Sequence, residues 1–193
     1  MATGFTPRER ESITEALRSA AARHATQGSM KKISVDELCA EAGISKGAFY
    51  KFYPSKEHLF LEVLERWHQA VSEETEKAVA QDASLDGQQR AAVMMKTACR
   101  VMREQSLAKF QETEAPLLLR KIPEQDLQNH MLTEASFAHE LLQKMNVKFS
   151  VPESVAFSMA YILFRSLRDA DGPNFDEALD RLIDSACQAI VLP

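Results

Sequence analysis

The sequence holds no glycine-rich phosphate loop, no nucleophile elbow and no Cys/His cluster at zinc spacing. With those absent, no catalytic constellation, metal or cofactor is expected. Cysteine is scarce. Cys39, Cys99 and Cys187 are far apart and odd in number, with no pair at redox or metal-ligand spacing. They read as small buried hydrophobes rather than a redox sensor, in a reduced, cytoplasmic setting. No apolar run is long enough to span a membrane, and no basic-then-apolar signal segment opens the chain. A membrane partner is therefore not expected. Alternating strand patterns are missing as well: the nearest, Val147 to Val151, is short and meets Pro152.

What remains reads as helix. The 193 residues suffice for a real core, in one domain or a small one fused to a larger. Charge divides the chain unequally. Residues 1–60 carry nine Lys/Arg and seven Asp/Glu, a balance of +2, whereas residues 61–193 carry fourteen and twenty-one, a balance of −7. The positive share sits at the amino-terminal end. A balance of +2 is too small to bind a polyanion by charge alone, so two copies and specific contacts would be needed.

That end carries the strongest motif in the chain. Val35 to Pro54 (VDELCAEAGISKGAFYKFYP) has the spacing of a helix-turn-helix. Gly43 supplies the positive φ that the turn needs. Leu38 and Ala42 before it, with Ile44, Phe49 and Phe52 after it, mark one small shared core, and Cys39 is small enough for two helices to cross closely. The second helix then presents Ser45, Lys46, Gly47, Ala48, Tyr50 and Lys51 outward. Lysines, a tyrosine and small residues suit a surface that approaches phosphates and base edges. Ser34 and Ser45 are read as helix caps whose N–H groups face phosphates. Lys46 is expected at a base edge, and Tyr50, Lys51 and Lys56 at phosphates. Gly47 and Ala48 are expected to let the backbone approach closely.

The segment Ser34 to Leu59 resembles the TetR family of bacterial transcriptional regulators. The resemblance rests on Ala42-Gly43-Ile44-Ser45-Lys46-Gly47-Ala48-Phe49-Tyr50, then Phe52-Tyr53-Pro54-Ser55-Lys56-Glu57 and Leu59. It covers about the first third of the chain. It implies an all-α fold: an amino-terminal three-helix DNA-binding domain (1–54), and a long fourth helix leading into a larger helical ligand-binding and dimerisation domain (55–193). Two positions depart from the pattern. His24 stands where an aromatic residue usually precedes the glycine, here Gly28. The stretch from Gly28 to Val35 is about one residue longer than usual, and basic at Lys31 and Lys32.

Helix boundaries are well marked. Thr6-Pro7 with Glu9, and Ser34 with Glu37, are capping boxes, and Ser55 caps the fourth helix. Ile13, Ala16, Leu17 and Ala20 form the core stripe of helix one. Leu59, Phe60, Val63, Leu64, Trp67 and Val71 form that of helix four, which runs to about Val79. Gln81 to Gln89 reads as a polar connection. Ala91, Met94, Met95, Ala98 and Met102 make the next stripe. Pro116 and Pro123 break the chain into short pieces, a helix follows from about Glu124 to Met145, and Pro152 opens another. Asn174 with Glu177 is read as the cap of the last. About nine helices are expected, with no sheet.

The last two long helices differ in kind. Val155 to Leu167 is apolar nearly all round, with Arg165 its lone cation, and Phe175, Leu179, Leu182, Ile183, Ala186 and Ile190 stripe the final helix. A homodimer through these two helices is expected, with a central core helix of a monomer as the alternative. Methionines and aromatics suit an adaptable pocket or a plain core equally. Trp67, Met95, Met102, His130, Glu134, Tyr161 and Arg165 are the candidate ligand contacts. His58 with Glu62 reads as a solvated pair. His130 with Glu134 reads as a core pair or a polar handle for a ligand. The function expected is that of a ligand-responsive regulator bound to double-stranded operator DNA, a repressor released by a small, mainly apolar effector. The contrasting reading is a helical enzyme or carrier of an apolar metabolite with a vestigial helix-turn-helix.

Overall fold

Capping boxes set the first two helices. In the computed structural model, Thr6 Oγ1 accepts from the Glu9 N–H while Glu9 accepts from the Thr6 N–H at 2.7 Å. Ser34 and Glu37 repeat the arrangement, and both cap residues are extended, at ψ 159° and 161°. The structure describes residues 4–104, 107–167 and 172–193, without the side chains of 107–108 and 133–138.

Ten α-helices lie among the described residues: α1 Pro7–Thr26, α2 Val35–Glu41, α3 Lys46–Phe49, α4 Lys56–Ala80, α5 Gly87–Glu104, α6 Leu107–Thr113, α7 Ala115–Leu119, α8 Glu124–Lys144, α9 Glu153–Ser166 and α10 Phe175–Ile190. The fold is all-α, as the sequence predicts. Among the described residues extended pairing is confined to an isolated antiparallel bridge between Val191 and Phe149, the latter within the stretch too short for a strand.

The helices gather into two compact units. The first comprises the residues up to Trp67 together with Lys109–Pro123, and the second comprises His68–Ala108 with Glu124–Pro193. Helix α4 thus begins in one and ends in the other. In the first unit Leu17, Leu38, Phe49, Leu59, Phe60, Phe110 and Leu118 are fully buried, so α6 and α7 supply part of the core beneath α1–α3. Removing seven such side chains from water is the main force holding these short helices, too short to persist alone.

In the second unit α5 packs along α10, and α9 also touches α10. Met94, Cys99 and Met102 are buried on α5, as are Leu179, Ile183 and Cys187 on α10. Two boundary readings are corrected. Gly87 is no loop glycine: it opens α5, and a Cβ there would sit 2.4 Å from the Leu192 carbonyl oxygen. Asn174 precedes α10 but caps nothing with its side chain, because its ψ of 9° lacks the extended backbone that aims the caps at Thr6 and Ser34. Glu177 instead pairs with Arg181 at 2.9 Å.

Candidate nucleic-acid interface

The helix-turn-helix forms where the sequence places it. Gly43 turns the chain at φ +68°, a conformation an L side chain resists. Leu38, Cys39 and Phe49 are buried between α2 and α3, while Ala42, Ile44 and Phe52 are half-buried at the edge of that core. Ser45 caps α3 by accepting from the Ala48 N–H at 3.2 Å. Helix α3 is only four residues long, and Tyr50 and Lys51 follow at its C-terminal end.

Six of the eight expected DNA contacts are exposed: Ser34, Ser45, Lys46, Gly47, Tyr50 and Lys51. Tyr50 keeps half its surface, 52%, open to solvent, although its ring meets Phe49 edge-on at 5.4 Å. Lys46 donates to Asp36 at 3.0 Å, and that carboxylate raises the lysine above its ordinary pKa. Both groups are solvated, so the pair orients Lys46 more than it neutralises it.

Two positions fall outside the exposed group. Ala48 faces inward at 8% exposure. Lys56 donates its ammonium to the Met30 carbonyl at 3.1 Å and the Ile33 carbonyl at 2.6 Å. Burial lowers its pKa, and two of its three donors are spent on closing the α1–α2 loop. That loop is the stretch where the sequence departs from the family pattern. His24 packs there through polar bonds in place of an apolar ring: Nδ1 lies 3.0 Å from Ser29 Oγ and Nε2 lies 2.8 Å from Glu41 Oε1. Glu41 also pairs with Arg23. Buried Glu114, at the start of α7, accepts from the Met30 N–H at 2.9 Å.

A cationic and aromatic cluster adjoins α3, and the sequence reading missed it. Phe5 and Phe52 stack at a tilt with ring centroids 5.6 Å apart. The Arg10 guanidinium lies 4.8 Å from the Phe52 centroid and the Lys51 ammonium 5.7 Å from that of Phe5. Arg10 also donates to the Lys51 carbonyl at 3.5 Å. Residues 41 positions apart carry no local signal of such a meeting.

The effector candidates are scattered. Trp67 belongs to the first unit, where it meets Phe110 edge-on at 5.4 Å. In the second unit Met102 and His130 are buried, Met95 is half-buried, and Tyr161 and Arg165 are exposed, with the Arg165 guanidinium 6.0 Å from the Tyr161 ring. The side chain of Glu134 lies outside the described residues. A cleft of about 520 Å³ opens between α5 and α10, lined by Lys96, Cys99, Arg103, Asp176 and Asp180 among others, and none of the candidates lines it. His58 and Glu62, read as solvated, are engaged: His58 Nδ1 lies 2.9 Å from Ser55 Oγ, and Glu62 pairs with Arg18. Among the described residues no three His, Cys, Asp or Glu gather as metal ligands, and no helix is long and apolar enough to cross a membrane.

Comparison with known proteins places this geometry. Residues 17–63 match the model of the bacterial regulatory proteins, tetR family. A TetR-family regulator from Marinobacter aquaeolei VT8 superposes with a TM-score of 0.67 at 18% identity, covering 97% of this chain and 100% of its own. A tetR-family regulatory protein from Rhodococcus RHA1 gives 0.67 at 15% identity, over 91% and 95% of the two chains. The fatty acid degradation regulator FadR from Bacillus halodurans gives 0.60 at 12% identity, over 96% and 95%. No curated protein matches the chain in sequence.

Proposed function

We propose that this chain, whose residues 17–63 match the model of the bacterial regulatory proteins, tetR family, is a member of that family and a repressor released from its operator by a small, mainly apolar molecule. On this reading it is a DNA-binding transcriptional regulator rather than an enzyme. The observation that carries the proposal is the exposed group on and around α3: Ser45, Lys46, Gly47, Tyr50 and Lys51 stand on the capped helix and the turn that follows it. A vestigial helix-turn-helix would have no reason to hold a lysine in place with Asp36 on a solvent face.

In this reading Lys46 meets a base edge, Tyr50 and Lys51 hold phosphates, and Ser34 and Ser45 bring main-chain N–H groups to the backbone. Lys56 contributes indirectly, by fixing the loop that precedes α2. The protein works as a cytoplasmic homodimer through α9 and α10, which sets two recognition helices about one DNA turn apart, roughly 34–36 Å. Support for that surface comes from Ile162 and Leu182, 67% and 59% exposed on the single chain. The effector is held in the second unit, where methionines and buried His130 offer apolar walls and a polar handle. A coupling of only about 1–3 kcal/mol between effector and operator suffices for a switch of roughly 5–150-fold.

Selection of bound sequences from random duplex DNA by the purified protein tests the proposal. A two-fold symmetric site should emerge. Lys46→Ala should then weaken it by about 1–3 kcal/mol, with relaxed preference at one position of each half-site. Wild-type affinity in the double variant Lys46→Ala, Tyr50→Phe at moderate salt would refute the assignment.

A further inference from the structure

Arg10 is the feature that the reading of α3 leaves unused. It is exposed, it stands on α1 rather than on the helix-turn-helix, and its guanidinium donates to the main chain one residue beyond the C-cap of α3. We propose that Arg10 is a further DNA contact, a phosphate ligand held in position by the Phe5–Phe52 ring pair. The inference rests on the reading of α3 as the element that enters the groove.

Three observations support it. The first is position. A helix inserted in the major groove is flanked by sugar-phosphate walls, so a cation fixed just outside it meets phosphate rather than a base edge. The second is organisation. Arg10 lies over the Phe52 face and Lys51 over the Phe5 face, so each long side chain is braced on an aromatic ring. Side chains already ordered in this way lose less rotamer freedom on binding. Arg10 also has the planar fork that matches phosphate oxygens in pairs, and its contact with the Lys51 carbonyl engages one edge of that fork.

The third is charge. At the ring pair itself stand two cations, Arg10 over Phe52 and Lys51 over Phe5. Glu9 is turned back on Thr6, accepting from its N–H and its hydroxyl at 2.7 Å each, so its carboxylate is committed to the cap. The ring pair beside α3 therefore carries two cations, although the chain as a whole is acidic.

Salt dependence separates a phosphate ligand from a structural clamp. The full-length protein and its Arg10→Ala, Arg10→Lys and Phe5→Leu variants are titrated with the selected operator at several salt concentrations, and their thermal melts are recorded. Each lost phosphate contact lowers the slope of log K against log salt by about 0.9, so two copies of Arg10→Ala lower it by about 1.8. The ratio of wild-type to variant affinity should then shrink about 12-fold between roughly 50 and 200 mM salt. Sequence preference and melting midpoint should stay as in wild type. Arg10→Lys should restore the slope, and Phe5→Leu should keep the slope while weakening binding at every salt. An unchanged slope in Arg10→Ala overturns the inference, and a lowered melting midpoint beside that slope identifies a clamp between α1 and α3. If the wild type binds no duplex at all, the reading of α3 falls and this contact falls with it.

Discussion

Glu114 accepts a hydrogen bond from the Met30 N–H at 2.9 Å, joining the start of α7 to the α1–α2 loop across 84 positions of sequence. Both residues are buried, and the Met30 carbonyl is taken by Lys56, so the main chain is held on both sides of the Met30 Cα. Glu114 occupies the N-cap position of α7 yet makes no side-chain cap bond there. Its carboxylate serves the loop instead of its own helix. Glu114→Ala should therefore leave a buried N–H unpaired, costing about 1–3 kcal/mol. For a chain of this size that lowers the melting midpoint by roughly 2–12 °C. Glu114→Gln keeps an acceptor and should cost less. Equal melting of the two variants and the wild type would show that the bond carries no stability.

The α9 and α10 surface makes a second prediction. Ile162 and Leu182 are exposed on the single chain, so a charged residue at either should spare the fold and remove the association. Ile162→Glu and Leu182→Glu should sediment as monomers, keep a helical circular dichroism spectrum and lose binding to a palindromic operator. A variant that stayed dimeric would move the interface elsewhere.

Acid should weaken the first two helices. Hydrogen bonds from Thr6 and Ser34 hold the Glu9 and Glu37 carboxyls below their ordinary pKa, and the bond to His24, with Arg23 beside it, does the same for Glu41. A carboxylate with a depressed folded-state pKa stabilises above the ordinary glutamate range, and the contribution is lost as pH falls through the folded value. Melting midpoints should decline on the acid side of that range. Glu9→Gln with Glu37→Gln should flatten the decline, since glutamine can still close a capping box. Parallel declines in variant and wild type would place the acid sensitivity elsewhere.

The thiols should be silent in the native protein. Burial pushes Cys99 up to about 12 and Cys187 up to about 11, and it raises Cys39 as well. All three are free and buried. Since the thiolate is the nucleophile, iodoacetamide at neutral pH should label none of them until denaturant is added, as read by mass spectrometry. Prompt stoichiometric labelling of the folded chain at Cys99 would contradict this burial. The same raised values contribute stability that is lost as pH climbs from the ordinary thiol range through these folded values.

The features legible in the sequence are those written within a few neighbouring residues. Thr6 with Glu9, Ser34 with Glu37, and Gly43 each act over one turn of chain, and each stands where the sequence predicts. Asn174 with Glu177 has the same letters and fails, because a box also needs an extended cap residue, and the bend after Gly172 does not supply one. Lys56 matches the family pattern, yet its carbonyl partners lie 26 and 23 residues away, and no short-range signal announces them. The Phe5–Phe52 and Arg10–Phe52 contacts are hidden for the same reason. Gly87 was misread because a close approach by the C-terminal segment leaves no trace at the glycine itself.

Phe110, Glu114 and Leu118 join the core of the first unit from far along the chain. That interleaving bears on how this chain can be recombined. A hybrid that carries only the amino-terminal residues onto a foreign effector module leaves behind the partner of Met30 and two fully covered apolar side chains. The exposed remainder would be a sticky fragment rather than a portable reading head. The portable piece is discontinuous, running to Trp67 and resuming at Lys109–Pro123, so a working exchange must graft two stretches of sequence at once.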